Sequence, residues 1–488
     1  MGPIGGTNSY GTEHTFLAKY TPGGINYYGL VYLLTTESSV GTSVGVSSAD
    51  KVFVAGYAYE HSALYYLPTL DGYSQDGNNL FHTSLSATVE TKAYGLAVGD
   101  ANSIYIVGTT YGGSVDGQAN IGGSDAFIAK FTADGVKSWA RQWGSTNADE
   151  ALSVAAFENN LYVVGTTYGE FDGQTNSGNV RNAFLTKYNP QGERQWSRIW
   201  GGTNWQSSYA AQGVTVDTNG NVYVAGSLDR RSSEGAAPYN TVGVLSKFSS
   251  DGVEVWTKYW GVDGESSTRT FEYFRDVAIA LDDTVYVHAD YHHINYNASP
   301  WHNYSGLFLQ FDSDGTALFS GSYETNSNYA PTPGGIVVSD NGDVFLTGNK
   351  PHATSDVNYS AFLKKYRVGA NKAALFNNYG GTQKSDMTVY YQGYWYAAEL
   401  QDGVISAYPL WSLNWGWPSA EVVPGDYNGD GVSDLAVYDQ ASGYWYVLSQ
   451  PAHAVIAWGQ PWGWTGAVTV PGDYDGDGVS DLAGYDTN

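Results

Sequence analysis

Short runs of alternating apolar and polar residues recur through the first 380 positions, at a spacing of roughly 50–60 residues. One recurring run is TFLAKY at 15–20, AFIAKF at 126–131, AFLTKY at 183–188, GVLSKF at 243–248, LFLQF at 307–311 and AFLKKY at 361–366, with a weaker copy, LFHTSL, at 80–85. A turn follows (TADG, NPQG, SSDG, DSDG), and then a second alternating run such as KSWARQWG, RQWSRIWG or VEVWTKYWG. Gly in these turns supplies the positive φ that a tight hairpin needs. A second family of runs is VFVAG at 52–56, IYIVG at 104–108, LYVVG at 161–165, VYVAG at 222–226, VYVHA at 285–289 and VFLTG at 344–348, each preceded by a short strand. The repeating unit therefore predicts four short antiparallel strands, the blade of a β-propeller. No segment sustains a 3.6-residue period, which excludes a helical solenoid.

The loops VGTTYGGSVDGQANIGGSDAFIAKF (107–131) and VGTTYGEFDGQ (164–174) resemble the bacterial seven-bladed propeller repeat called SBBP, over about residues 5–382. The resemblance implies seven blades when the ring closes, with the Tyr and Trp stripes packed between blades. The FLxKY run has seven copies and the VYVAG run six, so complete units run from about 43 to 379 and residues 15–34 form half a unit. Strands from elsewhere in the chain, from a neighbouring molecule or from a longer parent chain would complete it.

From about residue 385 the repeat changes. VVPGDYNGDGVSDLAVYD (422–439) returns as TVPGDYDGDGVSDLAGYD (469–486), with GYWYVLS and VIAWGQPWGW between, and a degenerate copy reads SDMTVYYQGYWYAAEL at 385–400. In the first loop Asp426, Asn428, Asp430 and Asp434 alternate along the chain, and Asp473, Asp475, Asp477 and Asp481 do so in the second. Oxygens at positions 1, 3 and 5 wrap a hard cation, the carbonyl of Val432 or Val479 serves position 7, and position 9 closes the ring. Gly431 and Gly478 make the turn. An EF-hand needs Glu at position 12, where Val437 and Gly484 stand. The following runs alternate as strands, which suits calcium loops at β-hairpins. These repeats, about 385–488, resemble the FG-GAP/VCBS blades of integrin-like propellers and of many secreted bacterial proteins. The expected cofactor is Ca²⁺ at two sites. The domains expected are 1–382, an SBBP-like propeller, and 383–488, the calcium-loop repeats, in an all-β chain.

Composition narrows the function. The 488 residues include 61 Gly and no Cys, with 42% hydrophobic and 15% aromatic residues, ample for a core. Without Cys there are no disulfides, thiolate metal sites or thiol nucleophiles. Only 14% of residues are charged, 22 basic against 48 acidic, for a net charge of −26. Such a surface repels phosphate backbones and anionic membranes, so no nucleic-acid partner is expected. No apolar run is long enough for a membrane span, and MGPIGGTNSYG carries no basic or apolar leader, so no signal peptide is expected there.

Motifs for zinc peptidase chemistry, nucleotide phosphates and dinucleotides are absent. The one unusual cluster is His288, Asp290 and His292, which share a strand face, with His293 and His302 nearby; they are candidates for a metal or proton-transfer site. Arg230 and Arg231 read as a solvated turn. The function expected is non-enzymatic: an extracellular or cell-surface structural or adhesive protein of bacterial or archaeal type, self-assembling head-to-tail through incomplete blades. Its partner is then another copy of itself, or a cell-surface glycan or protein. The alternatives are a lectin-like carbohydrate-binding module and a polysaccharide-acting enzyme.

Overall fold

The computed structural model describes residues 15–20, 26–31, 38–176, 180–202, 207–230, 240–261, 268–295, 301–326, 332–339, 342–351, 359–367, 387–401, 404–465, 467–472, 474 and 479–485. It divides into two compact units, Met1–Val338 with Phe345–Lys365, and Ser339–Val344 with Tyr366–Asn488. The fold is all-β, and its building block is a four-stranded antiparallel sheet.

A strand pair, Phe16–Tyr20 with Asn26–Val31, comes first. The first sheet follows, Ser39–Val46, Val52–Glu60, Tyr65–Tyr73 and Asn79–Ser84. The second holds Thr91–Val98, Ile104–Thr110, Asp125–Phe131 and Lys137–Trp143, and the third Asp149–Phe157, Asn160–Thr167, Asn182–Tyr188 and Arg194–Trp200. The fourth (Ser207–Val216, Val222–Arg230, Asn240–Phe248, Glu254–Trp260) and fifth (Thr268–Ile279, Val285–Asn295, Trp301–Phe311, Ala317–Asn326) are joined by parallel pairing of Thr241 with Phe271. A three-stranded sheet, Thr332–Val338, Asp343–Pro351 and Tyr359–Arg367, comes next. The fourth strand expected for it falls at 368–386, outside the described residues.

In the second to fifth sheets the FLxKY run is the third strand and the VYVAG run the second, as the periodicity predicts. The first sheet departs from the sequence reading in one respect. Its third strand is Tyr65–Tyr73, and LFHTS is the fourth strand. The turn SQDG at 74–77 marks the end of that third strand: Gly77 has φ 84 and donates to the Ser74 carbonyl at 2.9 Å, as Gly135 (φ 78) does to Thr132 at 3.0 Å. The third strand's own sequence, YYLPTLDGY, lacks the Phe and Lys that mark its counterparts.

Alternation puts one side of each strand against the preceding sheet and the other against the next. Phe53, Leu70, Ile106, Phe127 and Phe131 fill the space between the first and second sheets. Val107, Ile128, Trp143, Val163 and Phe184 do so between the second and third, and Tyr162, Leu185, Val224 and Phe248 between the third and fourth. The Tyr and Trp residues named here are thus core.

The second unit has its own register: a sheet of Met387–Tyr391, Tyr394–Gln401 and Val404–Asn414, then one of Glu421–Val422, Leu435–Asp439, Tyr444–Leu448 and Val455–Pro461, then the pair Val468–Thr469 and Gly484–Tyr485. Two buried indoles hold equivalent places in it, Trp395 donating to the Trp415 carbonyl at 2.7 Å and Trp445 to that of Trp462 at 2.5 Å. Among the described residues no helix is long and apolar enough to cross a membrane.

Candidate calcium-loop site and buried polar clusters

The loop from Asp426 to Asp434 is pinched at its neck, where the Asp434 amide donates to the Gly425 carbonyl at 2.7 Å. Inside the neck the Asp426 carboxylate accepts from the amides of Gly429 (2.7 Å), Asp430 (3.2 Å) and Gly431 (2.7 Å). The Asn428 side-chain oxygen accepts from the Asp430 amide at 2.9 Å, and Asp430 from the Val432 amide at 2.8 Å. Asp434 is fully buried and accepts from the amides of Tyr427 (2.8 Å) and Gln450 (2.9 Å). Burial, chiefly, with repulsion from Asp426 and Asp430, pushes its pKa up to about 7. All five predicted first-loop residues therefore sit on one tight turn. Among the described residues no three acidic or imidazole side chains converge as a ligating group; in this loop the Asp426 oxygens turn to backbone amides.

Of the second loop, Val479 and Asp481 are described, while Asp473, Asp475 and Asp477 lie outside the described residues. Asp481 repeats the neck of the first loop, its amide donating to Gly472 at 2.7 Å and its carboxylate accepting from Tyr474 at 2.7 Å. The two loops adjoin, since the Ser480 amide donates to the Asp426 carbonyl at 2.6 Å.

Aromatic rings couple the repeats. Trp415 meets Trp458 edge-on at 5.6 Å, and Trp417 meets Tyr446 at 5.2 Å. Their equivalents one repeat later, Trp462 and Trp464, are 59% and 44% exposed. The identity of position is secured by Tyr390, whose hydroxyl donates to Trp417 at 2.8 Å, and Tyr438, which donates to Trp464 at 2.9 Å.

His288, Asp290 and His292 lie on one strand of the fifth sheet, and each has a different partner. His288 is fully buried against the Tyr323 hydroxyl. Asp290 takes two bonds from Arg275, at 2.8 and 3.0 Å. His292 stacks between Tyr304 (4.0 Å) and Phe271 (5.5 Å). The periodicity gave no sign of a buried carboxylate nearby, Glu272, whose Oε2 is buried with no hydrogen-bond partner. Burial raises its pKa from 4.5 to about 7 and lowers that of His288 from 6.5 to about 4, against the opposing pull of the Gly334 and Gly335 backbone.

The two shifts give opposite pH dependences. The raised Glu272 contributes stability below about pH 4.5 that is lost as pH rises through 7; the lowered His288 contributes stability above pH 6.5 that is lost as pH falls towards 4. Relative to wild type, Glu272→Gln is therefore expected to gain thermal stability steadily between pH 4.5 and 7. Melting curves that keep a constant separation over that range would refute the assignment.

A family model for the β-propeller repeat SBBP matches residues 195–227. The regulatory protein FlaEY of Caulobacter vibrioides is 28% identical over an alignment of 197 residues, with 37% of this chain and 20% of that protein covered. The chain thus matches a fifth of that relative's length. Among solved structures, a protein of unknown function from Dyadobacter fermentans aligns with TM-score 0.38 at 10% identity, covering 67% of this chain and 94% of its own. The β-propeller domain of the Trilobed protease of Pyrococcus furiosus aligns with TM-score 0.33 at 8% identity, covering 74% and 90%.

Proposed function

We propose that this chain is a non-enzymatic extracellular or cell-surface protein, structural or adhesive in role, whose C-terminal repeats are stabilised by two Ca²⁺ ions and which associates head-to-tail with copies of itself. The first calcium loop is the observation that carries the reading. Asp426, Asn428, Asp430, the Val432 carbonyl and Asp434 would hold one ion, and Asp473, Asp475, Asp477, the Val479 carbonyl and Asp481 the other. The donor set fits a hard cation: it is all oxygen, and Asp434 is a buried carboxylate beside two other acidic groups. The bound ion would cross-link each loop and fix the strands that leave it.

Self-association is supported by the exposed indoles of Trp462 and Trp464, which offer apolar surface to a second copy. Light scattering in millimolar Ca²⁺ and again after EDTA tests both parts. The expected result is a polymer in Ca²⁺ that falls to the 52.6 kDa chain on chelation; a monomer in both conditions rejects assembly. A lectin-like reading has its own support in Trp458 and Trp411, 71% and 69% exposed and each packed edge-on at 5.5 Å against a Tyr, Tyr446 and Tyr396. A glycan array separates the two.

A further inference from the structure

The second and third sheets meet along an apolar seam that ends, at the loop side, in a polar pocket. Asp125 opens the third strand of one sheet and Asp149 the first strand of the next, and both are fully buried. Asp125 Oδ2 accepts from the Ile121 amide at 2.8 Å and from Gln142 Nε2 at 2.7 Å. Asp149 Oδ2 accepts from the Ser145 amide at 2.6 Å and from the Ser145 hydroxyl at 2.8 Å. These donors fix the orientation of both carboxylates and leave Asp125 Oδ1 buried without a hydrogen-bond partner. Directly across the ladder from Asp125 stands Thr110, fully buried, its hydroxyl also without a partner.

The two carboxylates converge on Gly144. A Cβ there would lie 2.7 Å from Asp125 Oδ1 and 2.7 Å from Asp149 Oδ2. Two carboxylates from adjacent sheets thus face one small space that only a glycine leaves open. Like charges this close in a water-poor seam repel strongly, and burial, with Asp125 adding to it, raises the Asp149 pKa. The arrangement is not a general feature of sheet packing. In the preceding seam the corresponding residues are Leu67 and Thr91, and in the following one Asn182 and Tyr209, as the shared ladder registers place them.

We propose that Asp125 and Asp149, with the Thr110 hydroxyl, hold a hard cation of the Ca²⁺ class that pins the second sheet to the third. The donors are all oxygen, which selects a hard ion. The bonds from Gln142, Ile121 and Ser145 act as outer partners that orient the ligands. This site is separate from the C-terminal loops and stands whether or not they bind metal.

The test is an ion count on the full chain, by mass spectrometry of protein dialysed against Ca²⁺ and then against metal-free buffer. Asp125→Asn and Asp149→Asn are each expected to retain one ion fewer per chain than wild type. Asp426→Ala is expected to lose a different one, so that combining it with Asp149→Asn loses both. If the loops bind nothing, wild type still holds the seam ion and Asp149→Asn none. A folded Asp125→Asn with the wild-type count overturns the proposal, and the pair is then bridged by a proton or water. Should the charge changes prevent folding, Thr110→Val keeps shape and charge. It is expected to weaken one ion's retention against a competing chelator several-fold, and unchanged retention likewise overturns the proposal.

Discussion

Replacing Asp434 by alanine is expected to abolish about half of the stabilisation that Ca²⁺ gives the C-terminal repeats. Two separate effects follow from the loop geometry. A ligand that binds only the folded state at a hundred times its Kd stabilises it by about 2.7 kcal/mol, and the variant would lose that contribution at one of two loops. The substitution also strands the buried amides of Tyr427 and Gln450, which now donate to Asp434 at 2.8 and 2.9 Å. An unsatisfied buried donor costs about 1–3 kcal/mol, and this loss is independent of metal. Melting curves with Ca²⁺ and with EDTA separate the effects. Wild type should show a wide gap between the two conditions. Asp434→Ala should melt lower in both, with the gap roughly halved. A variant that keeps the wild-type gap would mean that Asp434 ligates nothing, and the calcium reading of the first loop would fall with it.

The strand pattern was legible because two physical signals coincide at each repeat. Alternation marks the strand, and a glycine with positive φ marks its end. Where one signal is missing, the reading slips: YYLPTLDGY carries the turn but not the FLxKY pattern, so its sheet was entered one strand late. The Asp-rich turn was legible for a different reason. Its polar residues are local, so spacing along the chain is spacing in space, and all five first-loop residues fall on one turn. Sites built from distant residues leave no such trace. Asp125 and Asp149 come from separate strands and meet only because Gly144 lets them, and nothing in DAFIAKF or DEALSVAAF singles out either carboxylate. The His288–Asp290–His292 alternation illustrates the reverse. Strand geometry does put the three on one face, but neighbouring strands supply Tyr323, Arg275, Phe271 and Tyr304, and each residue of the three has its own partners. The parallel contact of Thr241 with Phe271 is likewise invisible to periodicity, which reports the face of a strand and not its neighbours.

Gly165→Ala is expected to be among the most destabilising single changes in the first unit, although it adds one methyl group. Gly165 closes the run LYVVG, and its partner strand bulges between Ala151 and Ser153. The bulge drives the Glu150 carbonyl towards Gly165, so that a Cβ would lie 1.8 Å from that oxygen. The same approach recurs at Gly56, Gly108 and Gly226, at 2.0, 1.9 and 1.9 Å from the carbonyls of Val40, Lys92 and Ala210, which explains why these four runs end in glycine. A side chain in the way could rotate; a backbone carbonyl held in a sheet cannot. Two terms compete. Gly→Ala restricts the unfolded chain and favours folding by about 0.4–1 kcal/mol. Overpacking a tight core costs about 1–3 kcal/mol and sometimes more, and a contact to rigid backbone belongs at the upper end, so destabilisation wins by roughly 2 kcal/mol or more. The fifth sheet supplies the control. There Ala289 occupies the equivalent place opposite Phe274, beside a bulge between Phe274 and Asp276. Ala289→Gly should cost only the roughly 0.5–1 kcal/mol of placing glycine in a strand. Denaturant midpoints of the two variants would decide the matter. If Gly165→Ala unfolds no earlier than Ala289→Gly, the glycine is kept for some reason other than the close carbonyl.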